Sequence, residues 1–208
     1  MRIAHLSGFL GTPSIWGREV QPTWQASLEA IAAELGTVDA VVGYSLGARV
    51  ATGLVVGGFV PRAVLISVNP GIADADRPAR RASDAVWATL LRERGIAEFL
   101  DAWEAQPLFA TQQRVHPERR AARRAGRLTL DPEQLARSLE VHGLAEMPDY
   151  RGAIDARFAL IAGADDPKYV AIARALPAPL QIIADAGHDP MFEQPAATRA
   201  AIERALGS

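Results

Sequence analysis

Three residues in this chain are typed and ordered for nucleophilic or base chemistry on a small molecule. Ser45 stands at the centre of Gly43-Tyr44-Ser45-Leu46-Gly47. An apolar β-branched run from Asp39 to Val42 precedes that motif, and a long apolar helical pattern from Leu46 to Val56 follows it. A strand, a tight turn and a helix in that order lift a serine hydroxyl above a sheet and set it at a helix N-terminus. The two glycines remove side chains that would clash where the helix folds back on the strand. The free N–H groups at the helix start favour developing negative charge.

A serine hydroxyl needs an imidazole to take its proton, and the imidazole needs an acid to orient it. Both follow Ser45 in the chain, each just after an apolar strand. Phe158 to Ala162 runs into Gly163-Ala164-Asp165-Asp166-Pro167, and Leu180 to Ile183 leads to Ala186-Gly187-His188-Asp189. Of the four histidines, only His188 sits just after a late strand. His5 lies within a strand, where packing or a core hydrogen bond accounts for it. His116 and His142 are expected to be solvated. Two adjacent aspartates cannot both point at one imidazole; Asp166 is favoured as the acid, with Asp165 as a turn residue capping its own backbone. Oxyanion stabilisation would come from backbone N–H groups, one from Leu46 and one from Phe9 in the Gly8-Phe9 turn after the first strand.

The elements that position these residues alternate. Arg2 to Ser7 reads as a short strand ending in a Gly-bounded turn, and residues 12–23 read as loop. Thr23 to Leu35 has helical spacing through Trp24, Leu28, Ile31 and Leu35, and stops at Gly36. After the elbow strand and helix comes Ala63 to Val68, a buried strand. The two late strands are separated by a helix at Lys168 to Leu176, and Ala196 to Leu206 is a C-terminal helix. Five short apolar strands alternating with helices predict a mostly parallel sheet covered on both faces, an α/β fold. The alternation lapses over residues 70–155, a polar, arginine-rich helical stretch carrying Trp87 and Trp103. It reads as a helical cap inserted within a single domain spanning 1–208.

Composition bounds the partners. A chain of 208 residues with 49% hydrophobic content can build one real core. The net charge of −2 favours neither nucleic acid nor an anionic membrane surface. No apolar run reaches membrane-spanning length, and the first apolar stretch is short and strand-like, so a cytoplasmic protein is the expectation. The absence of cysteine excludes disulfides and thiolate chemistry. With no P-loop, metal-ligand spacing or Rossmann glycine pattern, no cofactor is expected.

Taken together, these residues resemble the α/β-hydrolase superfamily, and within it the MenH family of 2-succinyl-6-hydroxy-2,4-cyclohexadiene-1-carboxylate synthases of menaquinone biosynthesis. The elbow Gly-Tyr-Ser-Leu-Gly-Ala-Arg is similar to that family's own. So is the cap pattern: Asn69-Pro70-Gly71, Ala79 to Asp84, Trp87-Ala88, and Phe99 to Phe109. Gly187-His188 followed by Glu193-Gln194-Pro195 extends the similarity to the end of the chain. The resemblance implies a cofactor-free lyase that eliminates pyruvate from a succinyl-bearing enolpyruvyl cyclohexene carboxylate, with Ser45, His188 and Asp166 as the base system. It implies guanidinium groups for the substrate's carboxylates at Arg49, Arg80 and Arg124, with Arg81 competing for the role of Arg80. Tyr44, Trp103 and the Phe9 turn would complete the pocket for a small anionic substrate.

Two departures stand out. Ser7 occupies the place of the family's histidine in its His-Gly oxyanion turn, a change the backbone donor survives. Between Gly11 and Trp24 some thirteen residues replace a helix, a strand and a loop, so the N-terminal part is shortened and the first strand becomes a sheet edge. An exposed edge invites pairing, which leaves monomer and homodimer both open. The alternative activities are an esterase or thioesterase of the same fold, or a non-catalytic binding protein. An acyl-ester pocket would not need three cations.

Overall fold

The computed structural model describes residues 1–11 and 26–207. Five strands form one sheet: β1 (Ile3–Leu6), β2 (Ala40–Tyr44), β3 (Ala63–Ile66), β4 (Phe158–Gly163) and β5 (Leu180–Ile183), in spatial order β1-β2-β3-β4-β5. Every pairing is parallel. Strand order that follows chain order in a parallel sheet puts the connecting helices on one face, because each crossover is right-handed. Accordingly α1 (Leu28–Leu35), α2 (Leu46–Val56) and α6 (Pro167–Arg174) contribute to the core that Ala4, Leu6, Val41, Leu65 and Leu160 form on that face. The last helix, α8 (Pro195–Leu206), covers the other face, where Ala201, Ile202 and Leu206 meet Ala40, Val42, Val64, Ile66 and Ile161. Alternate residues of each strand go to opposite layers, as the two-residue period of a strand requires.

Local signals set the helix ends. Ser27 caps α1 by accepting from Ala30 N, and Gly36 ends it with φ 62°. Asp166 caps α6 through Tyr169 N, with Pro167 in the first turn. The strands and helices of the sheet layer fall where the alternation of apolar runs put them. The loop expected at 12–23, and the start of the first helix at Thr23 with Trp24, lie outside the described residues. Among the described strands β1 pairs with β2 alone and stands at one end of the order.

Between β3 and β4 no residue is in a strand. The segment holds α3 (Arg77–Glu104), α4 (Pro117–Arg127) and α5 (Pro132–His142), with short 3-10 stretches at Asp74–Asp76, Pro107–Arg114 and Arg151–Ala153. α3 is two helical stretches meeting at Gly95, whose φ of 74° and ψ of −178° suit glycine. These helices share a small core of Ala88, Leu91, Phe99, Leu100, Leu135 and Ala136. Leu10, from the turn after β1, is buried in that core, and Phe9 packs against it. The β1 turn is thereby fixed between sheet and cap. Among the described residues no helix is long and apolar enough to cross a membrane.

Candidate active site

All strands point the same way, so the loops at their carboxyl ends converge on one edge of the sheet, the usual ligand edge of open α/β sheets. Ser45 follows β2, Asp166 follows β4 and His188 follows β5. Ser45 has φ 51° and ψ −108°, the strained left-handed turn that the Gly-X-Ser-X-Gly pattern predicts. The flanking glycines are required by contact. A Cβ on Gly47 would lie 2.3 Å from the carbonyl oxygens of Leu6 and Ser7, and one on Gly43 would lie 2.5 Å from the carbonyl oxygen of Gly47.

The three residues meet. His188 Nδ1 is 2.9 Å from Asp166 Oδ2, and His188 Nε2 is 3.3 Å from Ser45 Oγ. Asp166 and His188 are buried. Tyr169 packs against the imidazole with ring centroids 4.3 Å apart, and Tyr44 and Phe109 approach at 5.6 and 6.1 Å. Asp166 therefore faces the imidazole and caps α6 together. Asp165 turns outward instead and pairs with Arg114 at 2.6 Å, so its expected role as a cap of its own backbone is replaced by an ion pair across to the cap. The Gly8 turn abuts the elbow: a Cβ on Gly8 would come within 3.3 Å of Ser45 Cβ.

A cavity of about 390 Å³ opens over Ser45, within the range of about 300–1,000 Å³ typical of small-molecule sites. Phe9, Tyr44, Leu46, Arg49, Arg80 and Trp103 all line it with Ser45 and His188. Its apolar wall is an aromatic group in which Trp103 lies 5.0 Å from Phe9 and 5.0 Å from Trp87 by ring centroids. Burial pushes the Tyr44 phenol well up, with the nearby Asp189 carboxylate adding to the effect, and burial raises Tyr169 too. Both phenols stay neutral donors at ordinary pH.

The cations divide. Arg49 is 7% exposed, donates Nη2 to the backbone oxygen of His142 at 3.0 Å, and has no carboxylate within ion-pair distance among the described residues. Burial draws its guanidinium down to about 10, against the opposing pull of Tyr169. Arg80 also lines the cavity and is held by a two-oxygen contact to Asp84 at 2.9 and 3.0 Å. Arg81 lies outside, paired with Glu146. Arg124 does not line this cavity. It is bonded to Asp101 and Glu104 and faces a neighbouring one. The arginine of α4 that lines the Ser45 cavity is Arg127, buried and bonded to Glu104 at 2.8 Å.

His142 is a correction. It is buried at the end of α5, with Nε2 2.9 Å from Ala26 O, because α5 packs back onto α2. Burial lowers its tendency to protonate. His116 is exposed as expected. Lining residues that the sequence reading did not single out include Arg127, Lys168 and Tyr169. Lys168 carried a usable signal, as the one lysine in the chain, placed two residues after Asp166.

The model of the Alpha/beta hydrolase family matches residues 6–201. The chain belongs to that family. Within the alpha/beta hydrolase family it falls in the branch of 2-succinyl-6-hydroxy-2,4-cyclohexadiene-1-carboxylate synthases. The protein of that name from Klebsiella pneumoniae subsp. pneumoniae is 34% identical over 177 residues, which cover 81% of this chain and 68% of the relative. The solved structure of MenH from S. aureus superposes with a TM-score of 0.88 at 24% identity, covering 99% of this chain and 92% of that one. A thermophilic esterase from Thermogutta terrifontis gives a TM-score of 0.78 at 21% identity, covering 99% and 89%. Both structural likenesses speak to the alpha/beta hydrolase fold alone; the choice of chemistry rests on the site.

Proposed function

We propose that this enzyme eliminates pyruvate from a succinyl-bearing enolpyruvyl cyclohexene carboxylate, the lyase step in menaquinone biosynthesis. Ser45 is the base and His188 and Asp166 activate it. Ser45 Oγ takes a ring proton and passes its own to His188 Nε2, while Asp166 holds the other ring nitrogen. The electrons of the broken C–H bond form a new ring double bond while the ring double bond already present shifts one position towards the carbon bearing the enolpyruvyl oxygen. That C–O bond breaks in the same movement, its electrons leave with pyruvate enolate, and the proton held on His188 returns to the enolate to give pyruvate. The backbone N–H groups of Phe9 and Leu46, two residues that line the cavity, stabilise the oxygen on which negative charge develops.

The observation that carries this reading is Arg49. A buried guanidinium that meets no carboxylate among the described residues, in the same cavity as the serine, suits an anionic ligand and has no use in binding a neutral ester. Arg80 and Arg127 supply further positive charge for a substrate with several carboxylates, Arg127 taking the part first expected of Arg124. The aromatic wall around Trp103 suits the apolar ring face. The test is release of pyruvate from the enolpyruvyl cyclohexene carboxylate precursor, followed with a pyruvate-specific reporter. Acceleration over the spontaneous elimination supports the lyase. No acceleration, with turnover of a neutral chromogenic ester, moves the assignment to a hydrolase.

A further inference from the structure

The residue after His188 is fastened by the cap. Asp189 is wholly buried, and one carboxylate oxygen accepts from Arg123 Nη2 at 2.7 Å. Its other oxygen accepts from Phe192 N at 3.1 Å and caps the four-residue turn α7 (Pro190–Glu193). The Arg123 guanidinium sits over the Phe192 ring, its Cζ 4.1 Å from the ring centroid, and Arg119 donates to Phe192 O at 2.8 Å. On the other side of His188, Glu193 accepts from Gly187 N at 2.9 Å. The backbone on both sides of the imidazole is thus fixed by α7, and α7 is gripped by α4 of the cap. Arg123 and Arg127 are four residues apart and share one face of α4. One helix therefore presents a guanidinium to the cavity and another to the histidine loop.

We infer that Arg123 is a positioning residue: by clamping Asp189 and Phe192 from the cap, it holds His188 in register with Ser45 and Asp166. The inference rests on His188 being the base partner of Ser45. A plain surface ion pair would not be buried on both sides, stacked on a ring and joined directly to the residue after the base. The clamp fixes the imidazole and touches no substrate, so its loss lowers turnover and leaves substrate affinity nearly intact.

The test is the double variant Arg123→Gln with Asp189→Asn. It avoids stranding a lone buried charge and leaves the asparagine oxygen to cap Phe192 N. Misplacing a catalytic group by about 1 Å costs on the order of a hundredfold in rate. The double variant should lose about ten- to a hundredfold in kcat for pyruvate release, with KM within about threefold of the parent. Its low-field proton resonance for the His188 Nδ1–H bond to Asp166 should broaden or vanish. Arg127→Ala is the contrast: it should raise KM and keep that resonance. Unchanged kcat and an unchanged resonance in the double variant, with only a lower melting temperature, would overturn the inference and leave the contact as a cap staple. Because the resonance needs no substrate, it decides this inference even if the enzyme releases no pyruvate.

Discussion

Arg49 donates Nη2 to the backbone oxygen of His142 at 3.0 Å and meets no carboxylate among the described residues. The same α5 carbonyl that anchors it lies on an element of the cap, so the guanidinium is enclosed where sheet and cap meet. Burial lowers its proton affinity to about 10, below its ordinary value. A cation with a lowered folded-state value costs stability at every pH below that value, and the cost fades only as pH rises past about 10. At neutral pH an anion in the cavity offsets it. Arg49→Met should therefore raise the melting temperature of the ligand-free enzyme, by about 2–4 °C for each kcal/mol relieved. It should also raise KM for an anionic substrate by about tenfold or more. Thermal scans with kinetics check both; a large fall in melting temperature would show that Arg49 is a structural group.

The two arginines at the end of α4 separate cleanly. Arg127 is buried in the wall of the Ser45 cavity, and Arg124 is committed to Asp101 and Glu104 at the surface of a neighbouring one. Arg127→Ala should raise KM for the carboxylate substrate by about tenfold or more, the loss of one charge-assisted contact. Arg124→Ala should change KM by less than about threefold, as befits a partly exposed ion pair. Steady-state kinetics on the two variants side by side decide the matter. The reverse order would return the substrate contact to Arg124.

The elbow tolerates no side chain at Gly47. A Cβ there would lie 2.3 Å from the backbone oxygens of Leu6, on β1, and Ser7, in its turn, so backbone itself would have to shift. Gly47→Ala should destabilise the fold by about 3 kcal/mol or more, seen as loss of soluble protein or a shifted urea midpoint. A stable Gly47→Ala enzyme would mean that the strand-to-helix turn is looser than these contacts imply.

Much of this was legible in the sequence because it depends on local pattern. Short apolar runs bounded by Gly and Asp mark β2, β4 and β5, and parallel pairing then brings Ser45, Asp166 and His188 to one edge without further information. The resemblance to a known elbow points to Arg49, and the resemblance to a known cap points to Arg80. What sequence could not resolve was helical phase in an arginine-rich segment. Arg123, Arg124 and Arg127 are alike in type, and only the packing of α4 decides which meets the Ser45 cavity, the histidine loop, or the carboxylates of Asp101 and Glu104. The burial of His142 is hidden from the sequence for a similar reason. A histidine before glycine at a helix end reads as exposed until α5 is seen lying against α2. Asp165 and Asp166 were separable only in part, since its pairing with Arg114 joins residues 51 positions apart.

The most direct measurement is pyruvate release by the parent enzyme and by Ser45→Ala from the enolpyruvyl cyclohexene carboxylate precursor. Ser45 Oγ lies 3.3 Å from His188 Nε2, and removing it leaves Asp166 and His188 in place. If Ser45 is the base, the parent accelerates elimination and the variant falls by about a thousandfold or more towards the spontaneous rate, with an unchanged melting temperature. Elimination that survives in Ser45→Ala at more than about a tenth of the parent rate would contradict the account, because the proton would then be leaving by another route.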